Sequence, residues 1–191
     1  MRRIIVSNLV SVDGFFEGPK QDLSWFKIDP EFHQHMATIY ASTDTILLGR
    51  ITYDLFSNFW PDYDPTIDPT ADFINKSAKV VVSKTLTKAH WGKWKDAILV
   101  KNNLVTEVEK LKQQLGKNIV IFGSGSIVSA LTEADLIDEY RFIINPVIMG
   151  DGRQMFNRTN IKHWLKLKAT TVLSFGVVIL DYERDRSNVQ L

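Results

Sequence analysis

Asn118-Ile119-Val120-Ile121-Phe122-Gly123-Ser124-Gly125-Ser126, followed at once by Ile127–Glu133, is the stretch that decides the fold. The run Ile119–Phe122 suits a short strand buried on both faces. The glycine–serine turn then ends the strand, and Ile127–Glu133 reads as a helix. A buried strand that feeds directly into a helix is the repeating unit of a parallel sheet.

The same grammar extends in both directions. Arg3–Val10 reads as a first strand, ending in Ser11-Val12-Asp13-Gly14. Asp29-Pro30 reads as N-cap and first helical position, opening a helix through about Ser42 with Phe32, Met36, Ile39 and Tyr40 at helical spacing. Thr45–Leu48 is a strand stopping at Gly49, and Arg50–Ser57 begins a second helix. The proline- and aspartate-rich stretch Trp60–Pro69 reads as a loop, and Ala71–Ser77 as a turn or two of helix. Lys79–Val82 and Ala97–Val100 are strands. Val105–Leu115 is a helix stopped by Gly116. After the stretch at 118–133 come a strand at Ile137–Ile144, a Gly150-Asp151-Gly152 turn, and two strands, Trp164–Ser174 and Gly176–Glu183, read as a tight hairpin. The order β-α-β-α-β-β-α-β-α-β-β-β predicts one three-layer α/β domain over residues 1–185. Its central sheet is mostly parallel, with an antiparallel C-terminal hairpin, and 186–191 form a polar tail.

Composition narrows the function. Twenty-three Lys and Arg against 22 Asp and Glu give a net charge of +1, without the basic excess of a nucleic-acid binder. No apolar run exceeds four residues, so no membrane span or signal peptide is expected. Cysteine is absent, which excludes disulfides, thiol nucleophiles and Cys-ligated zinc; a cytoplasmic location is the expectation.

In open α/β sheets ligands bind at the carboxyl ends of strands. Four such ends share one chemistry: Ser11–Gly14; Gly49-Arg50-Ile51-Thr52; Ser83-Lys84; and Gly123–Ser126. The last allows close backbone approach and offers free helix N–H groups, as a phosphate requires, although Ser126 is equally an N-cap. Arg50, at the start of a helix, sits badly with the helix dipole unless an anion meets it; a salt bridge to Asp54 is the competing reading. Thr52 and Ser83 offer hydroxyls to a phosphate or to local backbone. If the strands are neighbours, these groups converge on one rim and form a site for a large polyanion such as a dinucleotide with a 2′-phosphate.

Leu47-Leu48-Gly49-Arg50-Ile51-Thr52-Tyr53 resembles the strand-to-helix signature of the dihydrofolate reductase superfamily. Val80–Ser83 and Ile119–Ser126 are similar to its next motifs, with Ser124 replacing the second glycine. Ser11–Gly14 and Pro146–Gly152 followed by Phe156 resemble the branch of the riboflavin-biosynthesis (RibD) C-terminal reductase domain. The resemblance runs from about residue 3 to residue 183. It implies a dihydrofolate-reductase-like fold and an NADPH-dependent oxidoreductase acting on a small carbonyl- or imine-containing, pteridine- or pyrimidine-like substrate, as 5-amino-6-(5-phosphoribosylamino)uracil reductase does. It places Arg50, Thr52, Ser83 and Lys84 at the adenine-side phosphates, with Gly49 opening that helix. Gly123, Ser124, Gly125 and Ser126 fall at the pyrophosphate, with Gly125 against it, and Val10–Gly14 face nicotinamide and substrate. Ser11, Asp13, Gly14 and Trp25 are then the substrate-side candidates, and Asp13 the candidate proton donor. An Asx-turn is the competing role for Asp13.

The substrate half departs from both known branches. The helix after Asp29 carries Glu31, His33 and His35 but no acid in its middle, and Tyr40-Ala41 stand where the riboflavin branch is basic. A non-catalytic NADP(H)-binding protein, a sensor or scaffold, is therefore the alternative. Four histidines, His33, His35, His90 and His163, are read as structural or exposed, and no metal is expected. Phe15, Phe16, Trp25, Phe26 and Trp60 stack on a planar ring or make core contacts. Apolar residues on both faces of the late strands, Phe142 to Ile148 and Val177–Leu180, predict a sheet edge covered in a homodimer.

Overall fold

The computed structural model describes residues 1–156 and 162–187. The chain order is β1 (Ile4–Ser11), β2 (Phe15–Glu17), a 3-10 turn at Pro19–Gln21, α1 (Pro30–Ser42), β3 (Thr43–Gly49), α2 (Arg50–Phe59), α3 (Thr70–Lys76), β4 (Ala78–Val82) and β5 (Ile98–Val100). There follow α4 (Leu104–Gln113), β6 (Asn118–Ile121), α5 (Gly125–Glu133), β7 (Glu139–Asn145), β8 (Arg153–Gln154), β9 (Leu165–Val172) and β10 (Val178–Arg184).

The main sheet has the order β5-β4-β3-β6-β1-β7-β10-β9. From β5 to β7 every neighbouring pair is parallel, and β10 and β9 close the sheet antiparallel. The expected mostly parallel sheet with a C-terminal hairpin is what the chain forms. The strands alternate their side chains between two apolar layers. Ile4, Val6, Leu47, Val80, Ile119 and Ile121 pack with Val108 of α4 and with Ile127, Val128 and Leu131 of α5. Ile5, Ile46, Leu48, Val81 and Val120 pack with Phe32, Met36 and Ile39 of α1, Tyr53 of α2 and Ile74 of α3. Burial on both faces is why these strands read as unbroken apolar runs.

Local signals place most boundaries. Pro30 opens α1, and the Asp29 carboxylate accepts the Phe32 amide at 2.7 Å. Two features lie outside the sequence reading. A small ribbon pairs β2 with β8. The C-terminal hairpin turns through Leu173–Val177 rather than tightly, with the Leu173 amide donating to the Val177 carbonyl.

The expected uncovered apolar edge at 140–183 is corrected. β7 and β10 are interior strands, and the edge on that side of the sheet is β9. That edge carries Lys166 and Lys168 and a register shift opposite Asp181/Tyr182, which are devices against edge-to-edge pairing. The start of the polar tail is held: Arg186 pairs with Asp135, as does Arg184 at the end of β10. Residues 188–191 of that tail lie outside the described residues. Among the described residues no helix is long and apolar enough to cross a membrane.

Candidate active site

The neighbours β4, β3, β6 and β1 end on one rim, with Gly49 opposite Val82 and Leu47 opposite Ile121. The segments read as phosphate-binding therefore meet. Gly49 is the N-cap of α2 and Ser124 that of α5, and neither start has a side-chain cap. Within α5 the Ile127 and Val128 amides both donate to the Ser124 carbonyl. The Gly125 and Ser126 amides, as the first of the helix, have no intrahelical acceptor. Two uncapped helix N-termini side by side concentrate partial positive charge at one place.

The hydroxyls of the rim build the turn itself. Thr52 Oγ1 accepts from the Ser124 amide at 3.1 Å and from Ser124 Oγ at 2.9 Å, while Ser124 Oγ accepts the Gly49 amide at 2.7 Å. With both Thr52 lone pairs engaged, its own proton is left to donate. The Asn8 side chain grips the other side of the turn: Oδ1 accepts the Gly123 amide at 2.7 Å and Nδ2 donates to the Gly123 carbonyl at 3.2 Å. Sequence reading passed over Asn8, because a polar residue inside a strand declares its partner only once β6 lies beside β1.

The glycines are tight against protein rather than open to ligand. A β-carbon on Gly123, at φ +60°, would meet Thr52 Oγ1 at 2.9 Å; on Gly49 it would meet Ser124 Oγ at 3.0 Å. On Gly125 it would stand 3.0 Å from Phe16 Cε1. A side chain added at Gly125 would therefore press on the Phe16 ring rather than enter open space.

Toward β4, the Ser83 hydroxyl is buried and accepts the Thr85 and Leu86 amides at 3.3 and 3.2 Å, so it shapes its loop instead of facing an anion. Lys84 and Thr85 are the exposed groups there. Arg50 is exposed; it pairs with Asp54 at 3.1 Å and reaches Thr85 at 3.4 Å. The competing reading of Arg50 as a salt-bridge partner is thus realised, in a solvated geometry worth little.

Asp13 stands as a hydrogen-bond acceptor. Its carboxylate accepts from the Ser11 hydroxyl at 2.7 Å and from the Met149 and Gly150 amides. The Ser11 bond foremost, then the Gly150 amide, pull its pKa down to about 2. It is a fixed anion that fastens the loop after β7 to the end of β1. Ser11 is buried in that clamp, its oxygen also accepting the Phe15 amide, and Gly14 turns the chain at φ +85°. Val10 lies in the core.

Beside the rim opens a cavity of about 390 Å³. From β1 it takes Ser7, Asn8 and Leu9 rather than Val10–Gly14, and it shares Thr52 and Gly123 with the rim. Of the predicted aromatics, Phe16, Phe26 and Trp60 line it. Trp25 does not; it sits edge-on to Phe26 at 4.3 Å between ring centres. Much of the remaining wall comes from α1, α2 and α3, with Glu17, Asp68, Phe122 and Ile143 beside them. Behind α3, buried Lys79 donates to the Ile74 and Asn75 carbonyls, and burial pulls its pKa down to about 8.

α1 adds His33, whose Nδ1 is 3.5 Å from Asp68 Oδ1, and Tyr40, whose hydroxyl meets Thr70 at 2.9 Å. Burial pushes the Tyr40 phenol up to about 12, so it stays neutral. Asp68 lies in the stretch read only as loop, and its pairing with His33 has no signature in local sequence. Among the described residues no cluster of three or more metal-ligating side chains forms.

A family model described as the RibD C-terminal domain matches residues 2–180. The uncharacterised protein YyaP of Bacillus subtilis is 32% identical over 183 residues, covering 95% of this chain and 94% of that one. A putative riboflavin biosynthesis protein from Shewanella sp. PV-4 superposes with a TM-score of 0.78 at 22% identity, over 96% of this chain and 99% of that one. Enterococcus faecalis dihydrofolate reductase, solved as a complex with NADP(H), gives 0.64 at 13% identity over 96% of both chains. These two structures share the dihydrofolate-reductase-like fold, and the sequence matches place the chain within one branch of it: it belongs to the RibD C-terminal domain family.

Proposed function

We propose that the chain is an NADPH-dependent reductase that transfers hydride to a small carbonyl or imine compound. The observation that carries this reading is the meeting of two uncapped helix N-termini beside a cavity that shares Thr52 and Gly123 with them. A dinucleotide needs that combination: amides for its phosphates and an adjoining pocket for the ring that reacts. The NADP(H) complex of the E. faecalis enzyme, which has the same fold, supports the choice of cofactor.

The rim fits the group. The Gly125 and Ser126 amides and the Thr52 hydroxyl would hold the pyrophosphate, and Arg50, Lys84 and Thr85 the adenine-side phosphates. Arg50 exchanges a solvated carboxylate for a phosphate, with two N–H groups in reach of it. When bound, the reduced nicotinamide supplies the hydride, and the chain's residues hold the substrate beside it. With Asp13 held as a carboxylate, the proton that completes reduction comes from solvent or from a group on the cavity wall.

Titration with NADPH and NADH tests the proposal. NADPH should bind more tightly. Arg50→Ala should remove about 1–3 kcal/mol of NADPH affinity and much less for NADH. Equal losses would place Arg50 outside the site. NADPH that binds but is never oxidised with any carbonyl or imine compound would favour the non-catalytic alternative.

A homodimer belongs to the same proposal, through a face instead of an edge. Phe142 and Tyr182 are half-buried, and Phe156 and Leu167 are exposed beside them on the side of β7, β10 and β9 away from α1. Light scattering should return twice the chain mass, and a Leu167→Glu variant should return the single mass.

A further inference from the structure

The polar groups in the cavity wall carry an inference about what the site reduces, and it rests on the reductase reading. Among the described residues that line the cavity, none is Lys or Arg; the ionisable ones are Glu17, His33, Tyr40 and Asp68. Phosphate-bearing substrates need cations or a helix N-terminus, and the two N-termini present lie at the rim. In the cavity itself such a substrate would meet Asp68 and a Glu17 carboxylate that Arg153, 3.6 Å away, offsets in part. The rest of the wall is apolar and largely aromatic, with Phe26, Phe32, Phe56, Phe59, Trp60 and Phe122 around the space. A cavity of about 390 Å³ admits a compact ring system.

Two polar atoms in that wall lack partners. Ser7 is only 2% exposed, and its hydroxyl makes no hydrogen bond. It lines the cavity on the side of the sheet that faces α1. His33 Nδ1 also makes none, although Asp68 lies 3.5 Å away. A buried hydroxyl without a partner is unfavourable until something supplies one, and the cavity is the open space it borders.

We infer that the substrate is a neutral, flat, largely apolar ring compound bearing one carbonyl or imine and no phosphate or carboxylate. One polar edge of it bonds the Ser7 hydroxyl. Its reduction is balanced without any further oxidant or reductant. Hydride adds to the carbon of the C=O or C=N bond, the π pair moves to oxygen or nitrogen, and that atom takes a proton from water. Ser7 selects the polar edge, and Asp68 foremost, with Glu17 shared with Arg153, disfavours anions.

A matched pair of probes tests this on the protein without cofactor: 2-naphthol and 2-naphthyl phosphate, compared by isothermal titration calorimetry. Naphthol should bind about 10-fold more tightly or better, as expected when a dianion must approach two carboxylates in a low-dielectric wall. Ser7→Ala, which removes only the hydroxyl, should weaken naphthol several-fold. The double variant Glu17→Gln, Asp68→Asn should narrow the gap between the probes. Equal or tighter binding of the phosphate, or no binding of either, overturns the inference. NADPH titration of the same samples reads the reductase proposal separately: naphthol bound with NADPH unbound removes the reductase and keeps the ligand class. NADPH bound with naphthol rejected does the reverse.

Discussion

The rim and the cavity adjoin and share Thr52 and Gly123, yet they are built on opposite principles. The rim is a hydrogen-bonded lattice in which Asn8, Gly49, Thr52, Gly123 and Ser124 satisfy one another. It is built by the chain alone, and it leaves the first amides of α5 and the Thr52 hydroxyl proton free to donate. The cavity is an apolar space with polar atoms left over. A preformed lattice suits a ligand whose phosphates never change, and a loosely specified apolar wall suits a pocket that can be refitted to a new substrate. Breaking the first should cost stability and cofactor together. Altering the second should cost only substrate.

The largest effect is expected at Gly125. Gly125→Val would drive two methyl groups toward Phe16 Cε1, already 3.0 Å from a β-carbon there, and toward the Met155 carbonyl at 3.4 Å. Phe16 is buried in the core layer under α5 and lines the cavity, so yielding would push the ring into that space. Overpacking of this kind costs about 1–3 kcal/mol, and the displaced start of α5 should weaken NADPH as well. Urea unfolding and NADPH titration read the two losses. A variant of native stability that merely loses NADPH would mean that this glycine faces ligand after all.

That glycine also marks how far the sequence could be read. The strand–turn–helix units are local: apolar run, glycine, helix. Hence the parallel sheet, the rim and the family resemblance were all visible in stretches of a few residues. What each group at the rim does was not visible. The hydroxyls of Thr52 and Ser83 had ligand-facing and fold-facing readings of equal chemical merit, and only the folded positions of β3, β4 and β6 decided between them. The cavity was less legible still. His33 and Asp68 are far apart in sequence and meet through packing of α1 against the loop before α3. Trp25, the more conspicuous residue, buttresses Phe26, which lines the space.

A comparable effect separates the two regions directly. Thr52→Val keeps the side-chain shape and removes the acceptor of both the Ser124 amide and the Ser124 hydroxyl. Leaving such donors unpaired costs about 1–3 kcal/mol, and NADPH should weaken with it. Phe59, half exposed on the cavity wall, is the counterpart. Phe59→Ala should change stability by less than about 1 kcal/mol, because little of the ring is buried in the free protein, and should leave NADPH affinity intact. Parallel unfolding curves for the two variants should differ in this order. A rim substitution milder than the wall substitution would dissolve the distinction.

The smallest effect near neutral pH belongs to Asp13, where the sequence allowed a catalytic acid. Its pKa of about 2, against the usual 3.8, makes it a carboxylate throughout the range in which enzymes are assayed. A group whose folded pKa is lowered contributes its full stabilisation above the unfolded value and loses it as pH falls through the folded one. Its contribution is therefore constant above about pH 4 and lost toward pH 2. Asp13→Asn keeps an oxygen for the Met149 and Gly150 amides but loses the charge that strengthens those bonds. Stability should drop slightly and evenly from about pH 5 to 9, and the pH profile of NADPH oxidation should keep its shape. If the substitution instead removed an acid limb from that profile, Asp13 would be exchanging a proton with substrate, and the clamp between β1 and the loop after β7 would belong to the reaction as well as to the fold.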